Sequence, residues 1–174
     1  MDIEKSRHLQ RDINEFQREK KPLGKGQFGC VYPCIDKKNG KKYAIKLIEP
    51  AKDVSTEDMA YKLFTREVTI QSQIKHRAML PLYCWGENCK VEEYGEISFI
   101  MSPLMKNGSL DMFINDKKYK ELDPTKKMII IYGSAVGMKH LHKRGVMHRD
   151  LKPGNILIDE LYYPYIGDFG FSKY

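Results

Sequence analysis

Tryptophan is almost absent from this chain, one residue in 174, and cysteine (four) and proline (eight) are sparse. Four cysteines are too few for a disulfide scaffold of this size, so Cys30, Cys34, Cys84 and Cys89 are expected to stay thiols. Cys84 and Cys89 have no second Cys/His pair at ligand spacing, which argues against a zinc site. Long apolar runs are missing too. The longest, Met128-Ile129-Ile130-Ile131-Tyr132, falls far short of the ~20 residues of a membrane-spanning helix. The first residues, Met1-Asp2-Ile3-Glu4-Lys5-Ser6-Arg7-His8, lack the apolar stretch of a signal peptide, so a cytoplasmic location is expected. No repeat, low-complexity tract or Pro/Ser-rich linker divides the chain. What is present is enough apolar material for a core, 41% of residues, with 30% charged. The net charge of +7 favours anionic partners without choosing among nucleotide, nucleic acid and acidic lipid.

Residues 1–20 are charge-rich, with Ile3, Leu9, Ile13 and Phe16 at a weak helical spacing, and read as an adaptable N-terminal extension. The run Leu23-Gly24-Lys25-Gly26-Gln27-Phe28-Gly29-Cys30-Val31-Tyr32 reads as a hairpin with a glycine-rich tip. Lys41–Ile48 alternates as a strand, Tyr43, Ile45 and Leu47 on one face and Ala44, Lys46 and Ile48 on the other. Ser55-Thr56-Glu57-Asp58 supplies a capping signal, followed at helical spacing by Ala60, Leu63, Glu67, Ile70 and Ile74. Glu67 therefore lies on an apolar stripe. An inward carboxylate costs several kcal/mol in order of magnitude unless a cation meets it, and Lys46 is the candidate.

A second helix opens with Asp123 as N-cap and Pro124 at its first position, and Gly145 lies beyond its end. Its expected buried stripe is Met128, Ile131, Ala135, Met138 and Leu141. A short strand is expected at Val146-Met147. Then come the polar loop His148-Arg149-Asp150-Leu151-Lys152-Pro153-Gly154-Asn155, strands at Ile156–Ile158 and Tyr165-Ile166 about a turn near Asp159-Glu160, and Asp168-Phe169-Gly170.

Alone, each motif is weak; a lone G-x-G-x-x-G is often a plain tight turn, and a lone Asp150 often a turn cap. Their order is the signal. Glycine-rich hairpin, A-I-K strand, helix with inward Glu, H-R-D-L-K-P-x-N loop and D-F-G follow the protein-kinase signature set, and from Leu23 to Tyr174 the chain resembles a eukaryotic protein kinase. The M-x-N-G-S-L segment and D-F-G-F-S-K are most similar to the tyrosine-kinase-like Ser/Thr group.

The resemblance implies an α+β, bilobal protein-kinase-like fold with a complete small β-rich lobe (about 21–105) and the first part of the helical large lobe (about 106–174). It implies ATP and Mg²⁺. Gly24, Gly26 and Gly29 would close backbone N–H groups over the triphosphate, because glycine has no Cβ to keep them away. Lys46, held by Glu67, would pair with the α/β-phosphates; Asp150 would accept or orient the substrate hydroxyl proton; Lys152 would contact the γ-phosphate, as in Ser/Thr-type kinases; Asn155 and Asp168 would bind Mg²⁺. Leu23, Val31, Ala44 and Leu157 would enclose the adenine, with Ser102 as gatekeeper. The Pro103 carbonyl would accept from adenine N6 and the Met105 N–H would donate to N1.

Two departures from the family pattern stand out. Gln71 occupies a position usually apolar and stacked on the D-F-G phenylalanine, here Phe169, with His148 and Leu82 at the other stacked positions; alternatively, Gln71 hydrogen-bonds to backbone. The sequence also ends four residues after Gly170, without an A-P-E motif. That reads as a truncated form or a chain completed by a protein partner, with the stripe of the second helix partly bare. The expected function is γ-phosphate transfer from ATP to Ser/Thr hydroxyls of protein substrates. The competing reading is a non-catalytic ATP-binding or regulatory fragment acting through protein contact; a basic nucleic-acid-binding module rests on charge alone and ranks last.

Overall fold

The computed structural model describes residues 3–26, 29–48, 54–91, 95–116 and 122–174, with the side chains of 54–58 excepted. The hairpin tip Gln27-Phe28 and the capping side chains Ser55 and Asp58 lie outside the described residues. The chain forms two compact units, Met1–Ser72 with Pro81–Leu104, and Gln73–Leu80 with Met105–Tyr174.

The first unit is an antiparallel sheet with one long helix. Its strands are β1 (Phe16–Arg18), β2 (Gly24–Gly26), β3 (Gly29–Asp36), β4 (Lys42–Ile48), β5 (Cys84–Val91) and β6 (Gly95–Pro103), and its helix is α1 (Val54–Gln73). The strand order is β1-β3-β4-β6-β5, with β2 added on β3. Alternation in β4 sorts as its pattern dictates: Tyr43, Ile45 and Leu47 enter a core with Cys34, Phe99 and Met101, while Ala44 and Lys46 stand on the other face. The register sets Val31 opposite Lys46 and Ser102 opposite Ala44, so these four side chains share that face.

Residues 3–18, read from the sequence as an extension, are docked on this unit. Ile3–Leu9 forms a 3-10 helix, Ile3 and Leu9 pack on Ile48, Phe64, Val68, Trp85 and Ile100, and Phe16 is buried against Phe99. The charged residues among them masked a set of apolar anchors.

In the second unit, helices α2 (Leu110–Asn115) and α3 (Pro124–Lys143) accompany the hairpin β7 (Ile156–Ile158) and β8 (Pro164–Ile166). Asp123 caps α3 through the Lys126 N–H at 3.0 Å, and Gly145 beyond its end takes φ +72°. The buried face of α3 corrects the expected stripe. Ile130, Gly137 and Leu141 are buried, whereas Met128 and Ile131 are each 61% exposed and Ala135 is exposed. At Val146-Met147 the expected strand is a single bridge from Met147 to Lys173.

Candidate active site

In the first unit the glycine-rich segment is the β2–β3 hairpin, pairing Gly24 with Val31 and Gly26 with Gly29. Its three glycines are not equivalent. A Cβ on Gly29, at φ +154°, would lie 1.8 Å from the Leu47 carbonyl oxygen, so glycine is required there by close packing. Among the described residues, a Cβ on Gly24 would meet nothing within 4 Å, and one on Gly26 the Gly29 carbonyl oxygen at 3.6 Å. Among the described residues, packing requires glycine at 29 and not at 24 or 26. Leu23, at the hairpin's start, is half-exposed and donates its N–H to the Val31 carbonyl at 2.7 Å.

Two strands along, Lys46 Nζ donates to Glu67 Oε2 at 2.7 Å. The Glu67 side chain is 7% exposed and that of Lys46 25%. The carboxylate on the apolar stripe of α1 has thus found its cation, and the ammonium is fixed by a rigid helix. Ser102 is buried on β6 opposite Ala44, and Pro103 closes that strand opposite Tyr43. Gln71, one helical turn after Glu67, is buried, and among the described residues neither its Nε2 nor its Oε1 has a hydrogen-bond partner. The alternative in which Gln71 bonds to backbone is therefore not realised.

In the second unit the loop from His148 is ordered by its own polar groups. His148 is buried; its Nδ1 accepts the Asp150 N–H at 3.3 Å and its Nε2 lies 2.9 Å from the Gly167 carbonyl oxygen. An acceptor at Nδ1 makes Nε2 the protonated nitrogen, donating to Gly167. Its ring also meets that of Phe169, centroids 5.4 Å apart. Gly167 N–H in turn donates to the Asn155 carbonyl at 2.9 Å, so the residue before Asp168 is tied to both ends of the loop. Arg149 and Asp168 both adopt left-handed backbone, φ +68° and +59°.

Asp150 Oδ2 accepts from Lys152 Nζ at 2.8 Å and from Asn155 Nδ2 at 3.0 Å. Lys152 first, then Asn155, hold the Asp150 carboxyl below the usual carboxylate range, and Asp150 raises Lys152 in return. Leu157 stands on the face of β7 opposite Ile156 and Ile158, which are buried with Phe113 and Ile130. Met105 accepts the Gly108 N–H at 3.1 Å.

Residues 17–174 match the protein-family description "Protein kinase domain". The chain belongs to the protein kinase domain family. A G-type lectin S-receptor-like serine/threonine-protein kinase of Arabidopsis thaliana is 38% identical over 164 residues, which is 92% of this chain and 19% of that protein. A second Arabidopsis relative, LEAF RUST 10 disease-resistance locus receptor-like protein kinase-like 2.1, is 35% identical over 159 residues, 87% of this chain and 22% of its own length. The kinase domain here spans about a fifth of the length of the curated relatives it matches.

A kinase domain implies ATP, and with it Mg²⁺. Among the described residues no group of three or more His, Cys, Asp or Glu could hold a metal. The oxygens that are present fit a different demand. Asn155 spends its amide nitrogen on Asp150, which leaves its side-chain oxygen for a cation, and Asp168 adds a carboxylate. One or two hard oxygens suit a Mg²⁺ that keeps waters and shares phosphates, not an all-protein cage. Sequence reasoning missed Gly167, whose carbonyl and N–H join His148 to Asn155. Backbone groups leave no trace in residue type.

Proposed function

We propose that this kinase domain transfers the γ-phosphate of ATP to Ser/Thr hydroxyls of protein substrates. The observation that carries the reading is the Asp150 carboxylate held by Lys152 and Asn155 in a loop anchored through buried His148. A carboxylate so held is a weak base and a good orienting acceptor. It lines up the substrate O–H by accepting its hydrogen bond, and takes the proton as the new O–P bond forms and the bond to the β-phosphate oxygen breaks.

Lys152 sits beside that acceptor as a cation for the phosphoryl group in transit, which supports Ser/Thr as substrate class. In the first unit, Lys46, fixed by Glu67, would neutralise the α/β-phosphates, and the backbone at Gly24, Gly26 and Gly29 would cover them. In the same unit, Val31, Ala44 and Ser102, sharing the face of Lys46, would take the adenine together with Leu23 and the Pro103 carbonyl. Asn155 and Asp168 would hold Mg²⁺, whose charge offsets that of the phosphates when it is bound.

The test is γ-phosphate transfer to a generic Ser/Thr substrate, alongside thermal stabilisation by Mg-ATP. Transfer abolished in Asp150→Asn with stabilisation retained supports the reading; transfer unchanged in that variant removes Asp150 from its role. A second reading, a nucleotide-binding module acting through protein contact, draws on Met128, Ile131 and Tyr132 of α3, exposed by 61%, 61% and 69%. It predicts stabilisation by nucleotide in wild type with no transfer at all.

A further inference from the structure

Residues 3–15 precede the part of the chain that matches the kinase family, which begins at residue 17, yet they are built into the first unit. Three separate contacts fasten them. Ile3 and Leu9 pack into the apolar cluster of Ile48, Phe64, Val68, Trp85 and Ile100. The Trp85 indole N–H donates to the Ser6 carbonyl at 3.0 Å, and the Ser6 hydroxyl donates back to the Ile3 carbonyl at 2.7 Å. The Arg11 N–H donates to the Trp85 carbonyl at 2.9 Å, and Gln10 bridges Trp85 in parallel, so the segment extends along the sheet's edge strand β5.

Arg11 then locks the far end. Its guanidinium reaches Asp36 Oδ2 at 2.7 Å and Glu15 Oε2 at 2.6 Å and lies 4.5 Å over the Phe16 ring. Gly86 makes room for this path, since a Cβ there would lie 2.7 Å from the Arg11 carbonyl oxygen.

Phe64 and Val68 are the link to chemistry. On α1 they flank Glu67, three residues before it and one after, and both are buried, at 1% and 0% exposed. Phe64 and Val68 belong to the apolar cluster against which Ile3 and Leu9 pack, and they lie on the turn that presents Glu67 to Lys46.

We propose that the segment Ile3–Glu15 is a positioning element for the Lys46–Glu67 pair, clasping α1 against β5 so that Glu67 stays within reach of the lysine. The segment touches no reacting atom and acts through α1. Loosening it lets that turn of α1 open locally, and the lysine loses its anchor. The consequence for nucleotide affinity rests on the kinase reading above; the clasp itself does not.

The test uses the full chain carrying Leu9→Ala, with Leu9→Met as the conservative variant. Amide hydrogen exchange is followed in α1 and, as reference, in β3 and β4, at a temperature where both variants are folded. Leu9→Ala is expected to speed exchange around Phe64–Val68 about tenfold with β3 and β4 unchanged, to shift the emission of Trp85 to the red, and to weaken Mg-ATP binding several-fold. Leu9→Met restores all three. Exchange raised equally across α1, β3 and β4 would mean a general loss of stability and would overturn the proposal, as would an α1 exchange rate equal to that of wild type. Wild-type chain that binds no Mg-ATP would sink the kinase reading alone, and exchange would still decide the clasp. Nucleotide affinity unchanged in Leu9→Ala, where wild type binds, overturns the positioning role.

Discussion

Asn155 donates its side-chain amide to both the backbone carbonyl of Asp150, at 2.7 Å, and its carboxylate, at 3.0 Å. The amide therefore helps to keep Asp150 ionised, after the larger effect of Lys152. Removing either donor raises the proton affinity of Asp150, and a carboxylate in place of the amide raises it further. The acid limb of kcat/KM for transfer is expected to move upward in pH in Lys152→Met and in Asn155→Asp. A limb that stays put in both variants would show that Asp150 is not the titrating group.

Lys46→Met removes the cation from the buried Glu67 carboxylate. Unfolding in denaturant should show a loss of about 2–4 kcal/mol, at the lower side of the cost of breaking a buried pair because Lys46 keeps some contact with solvent. The double variant Lys46→Met/Glu67→Leu should regain most of it. Loss of the same size in the double variant would mean that the cost lies in packing.

Gln71 carries two buried amide atoms without hydrogen-bond partners among the described residues. Each such group costs on the order of 1–3 kcal/mol, so Gln71→Leu, similar in size and apolar, should raise the melting temperature and stabilise the chain by about that amount. A lower melting temperature would reveal a partner for the amide.

Among glycines, Gly29→Ala and Gly24→Ala should part company. The first drives a methyl into the Leu47 carbonyl and should cost about 3 kcal/mol or more of stability. The second meets open space and should leave the melting temperature almost unchanged while weakening nucleotide binding. Equal effects on folding would remove the distinction between packing and ligand approach.

Asp36 is fully buried, and the Arg11 guanidinium, then the Tyr83 hydroxyl at 2.7 Å, hold its carboxyl well below its usual value near 3.8. A carboxylate whose pKa is lower when folded gives stability that is fully present above the unfolded value and fades as pH falls from there toward the folded one. Acid unfolding below about pH 4 should thus be less steep in Asp36→Asn, although that variant is less stable at neutral pH. Identical slopes in wild type and variant would assign the acid sensitivity elsewhere.

Much of this was legible in the residues. Strict alternation put Ala44 and Lys46 on one face, and an acid on an apolar stripe asked for a cation, so Lys46–Glu67 could be read before any coordinates. The phase of α3 could not. Ile129-Ile130-Ile131 lets a stripe be anchored at any of the three, and hydropathy gives no weight to the glycines that settle it. A Cβ on Gly133 would lie 2.6 Å from Pro164, and one on Gly137 would lie 2.8 Å from Ile166 and 2.9 Å from Met79. The helix approaches β8 through side chains it does not have. The N-terminal segment was obscured for the opposite reason: Glu4, Lys5, Arg7 and His8 dominate its composition, while Ile3, Leu9, the Ser6 carbonyl and Arg11 do the docking.

All four cysteines are buried, and burial pushes the Cys34 and Cys84 thiols up to about 12 and raises that of Cys89. Alkylating reagents at neutral pH should react only slowly with Cys34, Cys84 and Cys89. The same inertness is an opportunity: one cysteine introduced at an exposed position would take a dye or a surface tether well ahead of these three native thiols.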